Sequence, residues 1–129
     1  VMNKTILMTG VFFGVTAVLF GAFGAHGLEK LIDANAIASY KTGTQYQMFH
    51  ALLLLFLGIL PKIEEKHKRQ IFYTLLTGML LFCFSIYILS IDTILGFNAK
   101  SIVLATPIGG IFLILGWFLL GYRIFKHFN

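Results

Sequence analysis

The chain predicts an all-α integral membrane protein, a bundle of four helices with antiparallel neighbours. Three observations carry that expectation. Hydrophobic residues make up 58% of the 129 and charged residues only 12%, where soluble domains average roughly 45–50% and about 25%. The mean hydropathy is +0.88, more apolar surface than a soluble core of this size could hide. The apolar residues form four long runs, and the charges collect at the ends of those runs, as they do where helices leave a bilayer. The length leaves room for one domain, residues 1–129.

The net charge of +5 would suggest nucleic acid in a soluble protein. Here the positive charges flank apolar runs, so lipid is the expected surrounding and no nucleic-acid partner is expected. Cys83 is the single cysteine and lies inside an apolar run. That excludes a disulfide framework and leaves it as a small packing hydrophobe.

The first span is expected at residues 6–25. Val1, ahead of Met2, is set aside as an added residue. The run is uncharged and about 20 residues long, enough to cross roughly 30 Å of hydrocarbon. Ala22-Phe23-Gly24-Ala25 could pass for a signal-peptide cleavage site, but the apolar region of such a peptide is about 7–15 residues. Gly10, Gly14, Ala17, Gly21 and Ala25 recur three or four apart. They give the helix a smooth face on which a neighbour can approach closely.

Next comes a short amphipathic helix over 26–33. Leu28, Leu31 and Ile32 fall on one side and Glu29, Lys30 and Asp33 on the other, the pattern of a segment lying in the interface. The second helix begins near Ala34 and ends at Pro61, with its membrane portion at 38–60. Residues 62–70 read as a charged loop. The third span is expected at 71–91, followed by a loop over 92–101 marked by Gly96 and Asn98. The fourth is expected at 102–122, with Pro107 near its start, where a missing N–H does least harm. Gly109 and Gly116, seven apart, offer a second packing face.

Four spans place both termini and the 62–70 loop on one side. That side carries Lys4, Lys62, Lys66, Lys68, Arg69, Arg123 and Lys126, against Lys30, Lys41 and Lys100 on the other. The excess of positive charge predicts cytoplasmic termini.

Polar side chains gather in the second helix, where Thr42-Gly43-Thr44-Gln45-Tyr46-Gln47-Met48-Phe49-His50 runs into Leu52-Leu53-Leu54-Leu55. Within a membrane each such group needs a partner, a cavity or a purpose. Counted along the helices, His50 falls about 16 Å from the inner surface, Gln47 roughly 21 Å, Ser85 and Tyr87 roughly 21–24 Å and Thr106 about 25 Å. Tyr46, Gln47, His50, Ser85, Tyr87 and Thr106 therefore form a candidate polar pocket in the outer half of the bundle. The plainer reading is that they bond to one another across the helices, worth about 0.6 kcal/mol per bond. Burial favours the neutral ring of His50.

No metal or cofactor is expected. His26 and His50 are separated by roughly 14 Å along the membrane normal, too far to share a zinc ion. His26, Glu29 and Asp33 read as a solvated face. The first helix lacks the buried acidic group that a small multidrug exporter needs, since no Asp or Glu lies between Ile6 and Ala25. A lone intramembrane histidine names no reaction, so an enzyme is not expected.

Gly21-Ala22-Phe23-Gly24-Ala25-His26-Gly27-Leu28, Tyr46-Gln47-Met48-Phe49-His50-Ala51-Leu52 and Thr106-Pro107-Ile108-Gly109-Gly110, with Gly116-Trp117 beyond, resemble the signature blocks of the YgdD-like family. That family comprises small four-span membrane proteins carried as a domain of unknown function. The resemblance covers nearly the whole chain. The third span departs from the pattern, since Phe84-Ser85-Ile86-Tyr87 lacks the adjoining glycine. The resemblance implies a bacterial cytoplasmic-membrane protein and supplies no catalytic residue, substrate or cofactor. Two functions fit the residues. One is a non-enzymatic component supporting envelope integrity or a membrane-protein partner, with the glycine faces available for that partner or a second copy. The other is a small binding or transport protein with an outward-facing pocket around His50.

Overall fold

The computed structural model describes residues 2–96 and 100–129. They form four long helices: α1 (Met2–His26), α2 (Ala34–Ile59), α3 (Glu65–Leu95) and α4 (Ala105–His127). Two short 3₁₀ turns, Leu28–Lys30 and Lys100–Ile102, lie between them. There is no β-strand among the described residues.

Local chemistry explains most of the boundaries. The carboxylate of Asp33 accepts from the Ala36 backbone N–H at 2.8 Å and starts α2. Leu60 has extended backbone and ends it, because the ring of Pro61 disfavours helical geometry in the preceding residue. Gly96 closes α3 in the left-handed region, φ 79°, where a side chain would be strained.

Three segments differ from the sequence expectation. Residues 65–70 are the first turns of α3 rather than loop. Glu65 favours the positive end of the helix and pairs with Arg69 one turn on, at 3.4 Å. Residues 92–95 likewise belong to α3, because Gly96 and not Asp92 is the stop; Asn98 lies outside the described residues. The segment 26–33 contains one 3₁₀ turn rather than an amphipathic helix. Its length is too short to repay helix nucleation. Leu28 is buried with Tyr40 and Tyr87, and Leu31 is exposed.

Consecutive helices run antiparallel. Along α1 and α2, Gly58 meets Leu7, Gly10 meets Ala51 and Leu55, and Gly24 meets Tyr40. Along α3 and α4, Gly116 meets Leu75, Gly78 meets Leu113, and Gly109 meets the Phe82 backbone. Glycine at these places lets helix backbones approach without a Cβ between them. Gly14 lies 4.0 Å from Ala51, a loose contact, and Gly21 has no protein atom within 4 Å of its Cβ position. The close contact at that end of α1 is made by Gly24 instead.

The packing is not a closed square. α3 touches all three other helices, whereas α1 and α4 share no extensive surface. α2 and α4 face each other across a groove. An apolar core that includes Ile6, Leu54, Leu57, Ile71 and Leu75 fills the end near the termini. Leu28, Tyr40, Cys83 and Tyr87 fill the other.

The stretches Met2–Lys30, Glu65–Leu95 and Lys100–His127 are long and apolar enough to cross a membrane. α2 falls short because its first half carries Asn35, Ser39, Lys41, Thr42, Gln45 and Gln47.

Candidate functional site: polar pairs within the helix bundle

The polar residues of α2 meet their partners because successive turns present them to different neighbours. Gln47 points at α1 and α3 and is 1% exposed. Its Nε2 donates to the Phe13 carbonyl at 2.9 Å and to the Thr16 hydroxyl at 2.7 Å. Its Oε1 accepts from the Tyr87 hydroxyl at 2.6 Å. The amide orientation follows from these partners, since a carbonyl only accepts and needs N–H. Gln47 thus ties three helices with both N–H groups used. Tyr87 is held in turn by an edge-to-face contact with Phe20, centroids 5.4 Å apart, and by Tyr40 at 5.3 Å. The hydroxyl of Tyr40 donates to the Phe20 carbonyl at 2.7 Å.

His50 lies one turn further on and faces α4. The Trp117 indole donates to His50 Nε2 at 3.1 Å, and His50 Nδ1 is 2.7 Å from the Tyr46 carbonyl. An indole N–H can only donate and a carbonyl can only accept. Nε2 must therefore carry the lone pair and Nδ1 the proton. The ring is neutral, in one defined tautomer, with both nitrogens occupied. The ring of Tyr46 stacks against it at 6.3 Å.

Ser85 and Thr106 share a hydrogen bond of 2.6 Å between α3 and α4, and Ser85 also donates to the Phe82 carbonyl at 3.0 Å. The six residues singled out by the sequence are thus brought together as three pairs: Gln47 with Tyr87, His50 with Tyr46, and Ser85 with Thr106. They do not line one cavity. A cleft of about 580 Å³ does open between α2, α3 and α4 at the end opposite the termini, and of the six only Thr106 lines it.

Sequence reasoning missed several partners. Thr16 was one polar residue in an apolar run, and only the register of α1 on α2 brings it to Gln47. Trp117 carried a usable signal, because a buried indole N–H seeks an acceptor. Lys68, assigned to a loop, is 3% exposed and donates to Asn3 Oδ1 at 3.0 Å, with the Gly58 carbonyl at 3.5 Å. Its ammonium therefore sits at the negative end of α2. His67 and His127 stack at 5.8 Å and join the start of α3 to the end of α4. Among the described residues, no three His, Cys, Asp or Glu side chains come together to hold a metal ion.

The family model described as "Protein of unknown function (DUF423)" matches residues 20–110. The chain belongs to the DUF423 family. The matched stretch holds all six polar residues of the three pairs and stops before Trp117. Relatives share the name UPF0382 membrane protein. That of Haemophilus influenzae is 37% identical over 124 residues, covering 96% of this chain and 95% of its own. That of Staphylococcus saprophyticus is 36% identical, covering 95% and 98%. One from Staphylococcus aureus is 33% identical, covering 95% and 97%. No solved structure matches this DUF423 chain.

Proposed function

We propose that this chain is a non-enzymatic, four-span component of the bacterial cytoplasmic membrane that supports envelope integrity through a partner protein, as the YgdD-like resemblance allows. The observation that carries the reading is the disposition of the polar side chains. Gln47, Tyr87, His50, Trp117, Ser85 and Thr106 are bonded to one another or to backbone. These groups hold helices together, and none is left over as a nucleophile or base.

The packing of α2 supports its crossing. It lies against α1 from Gly58 to Tyr40, a length of about 27 Å, close to the hydrocarbon thickness. Gln47 turns inward, so lipid does not meet it, while Lys41 and Gln45 stay exposed toward the outer end. Four spans place both termini in the cytoplasm by the distribution of positive charge.

The test is deletion of the gene in a bacterium that carries it, with complementation by the wild type and by Gln47→Leu. The reading expects a leakier envelope, measured as uptake of an excluded dye, and loss of a co-purifying membrane protein. Unchanged permeability together with unchanged membrane complexes would contradict it.

A further inference from the structure

The groove between α2 and α4 carries a site that the three polar pairs do not use. Its outer part is the cleft of about 580 Å³, within the roughly 300–1,000 Å³ of small-molecule pockets. Asn35, Ser39 and Thr42 line it from α2 at spacings of four and three, and so share one helix face. Thr106 closes it from α4, over the apolar side chain of Leu89. The hydroxyl of Thr42 is bonded to the Ala38 carbonyl and that of Thr106 to Ser85. Asn35 and Ser39 make no side-chain hydrogen bond among the described residues. The cleft therefore presents an amide and a hydroxyl with unused capacity above an apolar floor.

Among the described residues, no Lys, Arg, Asp, Glu or His lines the cleft. A charged group placed there would find no counter-charge in the lining. An uncharged group bearing several hydroxyls would meet donors and acceptors on one side and hydrocarbon on the other.

The same two helices, α2 and α4, hold a second hollow further in. It lies past the His50–Trp117 bridge, measures about 400 Å³ and is lined by Leu53, Phe56, Trp117 and Leu120, with no polar surface. From Thr106 to Trp117 is about 16 Å along α4, the depth of one leaflet of hydrocarbon. From the first hollow to the second the lining thus changes from mixed polar and apolar to wholly apolar.

We infer that this groove binds an uncharged, polyhydroxyl group of the sugar or glycerol type, carried on a lipid. The head is held by Asn35 and Ser39, and the chain runs inward beside α2 and α4, past the His50–Trp117 bridge to the apolar hollow at Leu53 and Leu120. The lipid-borne form rests on the four-span reading; the polar cleft does not.

The test uses the full chain in nanodiscs of phosphatidylethanolamine and phosphatidylglycerol doped with monoglucosyl-diacylglycerol. Native mass spectrometry reads which lipid stays on the released protein, and binding of free glucose is titrated in parallel. Wild type should retain the glycolipid in preference to phosphatidylglycerol. Asn35→Ala with Ser39→Ala removes both unbonded groups without adding bulk and should lower retention about tenfold, the worth of one to two hydrogen bonds. Ser39→Trp, filling the cleft from an exposed position, should abolish it. Saturable glucose binding lost in both variants, without glycolipid retention, assigns the same chemistry to a free solute. Equal retention in wild type and both variants, or phosphatidylglycerol held as well as the glycolipid, overturns the proposal. A failure of the four-span reading appears separately, as misplaced termini.

Discussion

The Trp117 indole donates to His50 Nε2 at 3.1 Å across the groove between α2 and α4. These two helices lack extensive backbone packing, so the pair is a direct side-chain link between them. The bond also sets the proton on Nδ1, toward the Tyr46 carbonyl 2.7 Å away. Nitrogen-15 spectra of His50 should therefore show a protonated Nδ1 and a bare Nε2 at neutral pH. Protonating Nε2 in acid removes the acceptor, so the Trp117 bond must be lost when the ring becomes cationic. The opposite tautomer at neutral pH would contradict the assignment.

A double-mutant cycle measures the strength of the same link. Trp117→Phe and His50→Ala should each destabilise the protein, and their effects should not add. Side-chain bonds between membrane helices couple by about 0.6 kcal/mol and at most about 1.7. Unfolding in an SDS titration, followed by circular dichroism, reads the value. Strict additivity would mean that the two residues do not interact.

Gln47 has no such slack. Replacing it by Leu strands the Tyr87 hydroxyl and frees Thr16 from its partner in an interior that water does not reach. The expected cost is about 1–3 kcal/mol. Tyr87→Phe removes one partner of the amide and should cost less, about 1 kcal/mol. A larger loss for Tyr87→Phe than for Gln47→Leu in the same titration would show that Gln47 is not the main tie between these helices.

The glycines separate into two classes. A Cβ at Gly109 would overlap the Phe82 backbone, which cannot yield without moving a helix, while Gly21 and Gly121 have nothing within 4 Å. Gly109→Ala should push α4 off α3 and cost several kcal/mol, in the range of an overpacked core. Gly21→Ala should be neutral or gain up to about 1 kcal/mol from helix propensity. Comparable losses at both positions would show that Gly21 meets a surface outside this chain, such as a second copy.

Lys68 ties α1, α2 and α3 at the end near the termini. Lys68→Met keeps most of the stem but leaves the Asn3 amide oxygen and the Gly58 carbonyl without their donor. A loss of about 1–2 kcal/mol is expected. Lys68→Ala should cost more because it also opens a void.

Apolar periodicity and punctuation made the helices legible in the sequence. Pro61 acts on the backbone beside it, so its effect could be read locally, whereas the charge of Asp92 resembles the end of a span and hides the stop at Gly96. The six polar residues could be listed for the same reason: each stands out against hydrocarbon. Their pairing could not be read, because spacing fixes depth but not rotation. Gln47 and His50 sit less than one turn apart, yet one faces α1 and α3 and the other α4. The charged run 62–70 misled because charge resembles loop, whereas Glu65 and Arg69 in fact stabilise the first turns of α3. The α2/α4 groove was invisible for a further reason. It exists because α3 sits between the other helices, a property of the whole packing and not of any segment.

The proposed function requires α2 to cross the membrane, with Gln47 and His50 bonded inside the protein. The most direct test is a topology assay in a bacterial membrane, with a reporter fused after Asn129 and another inserted at Asp33. Four spans require the Asn129 reporter to be cytoplasmic and the Asp33 reporter to be outside. Reporters found on the same side at Asp33 and Asn129 would contradict four spans, because only an even number of crossings would then separate them, leaving α2 out of the membrane.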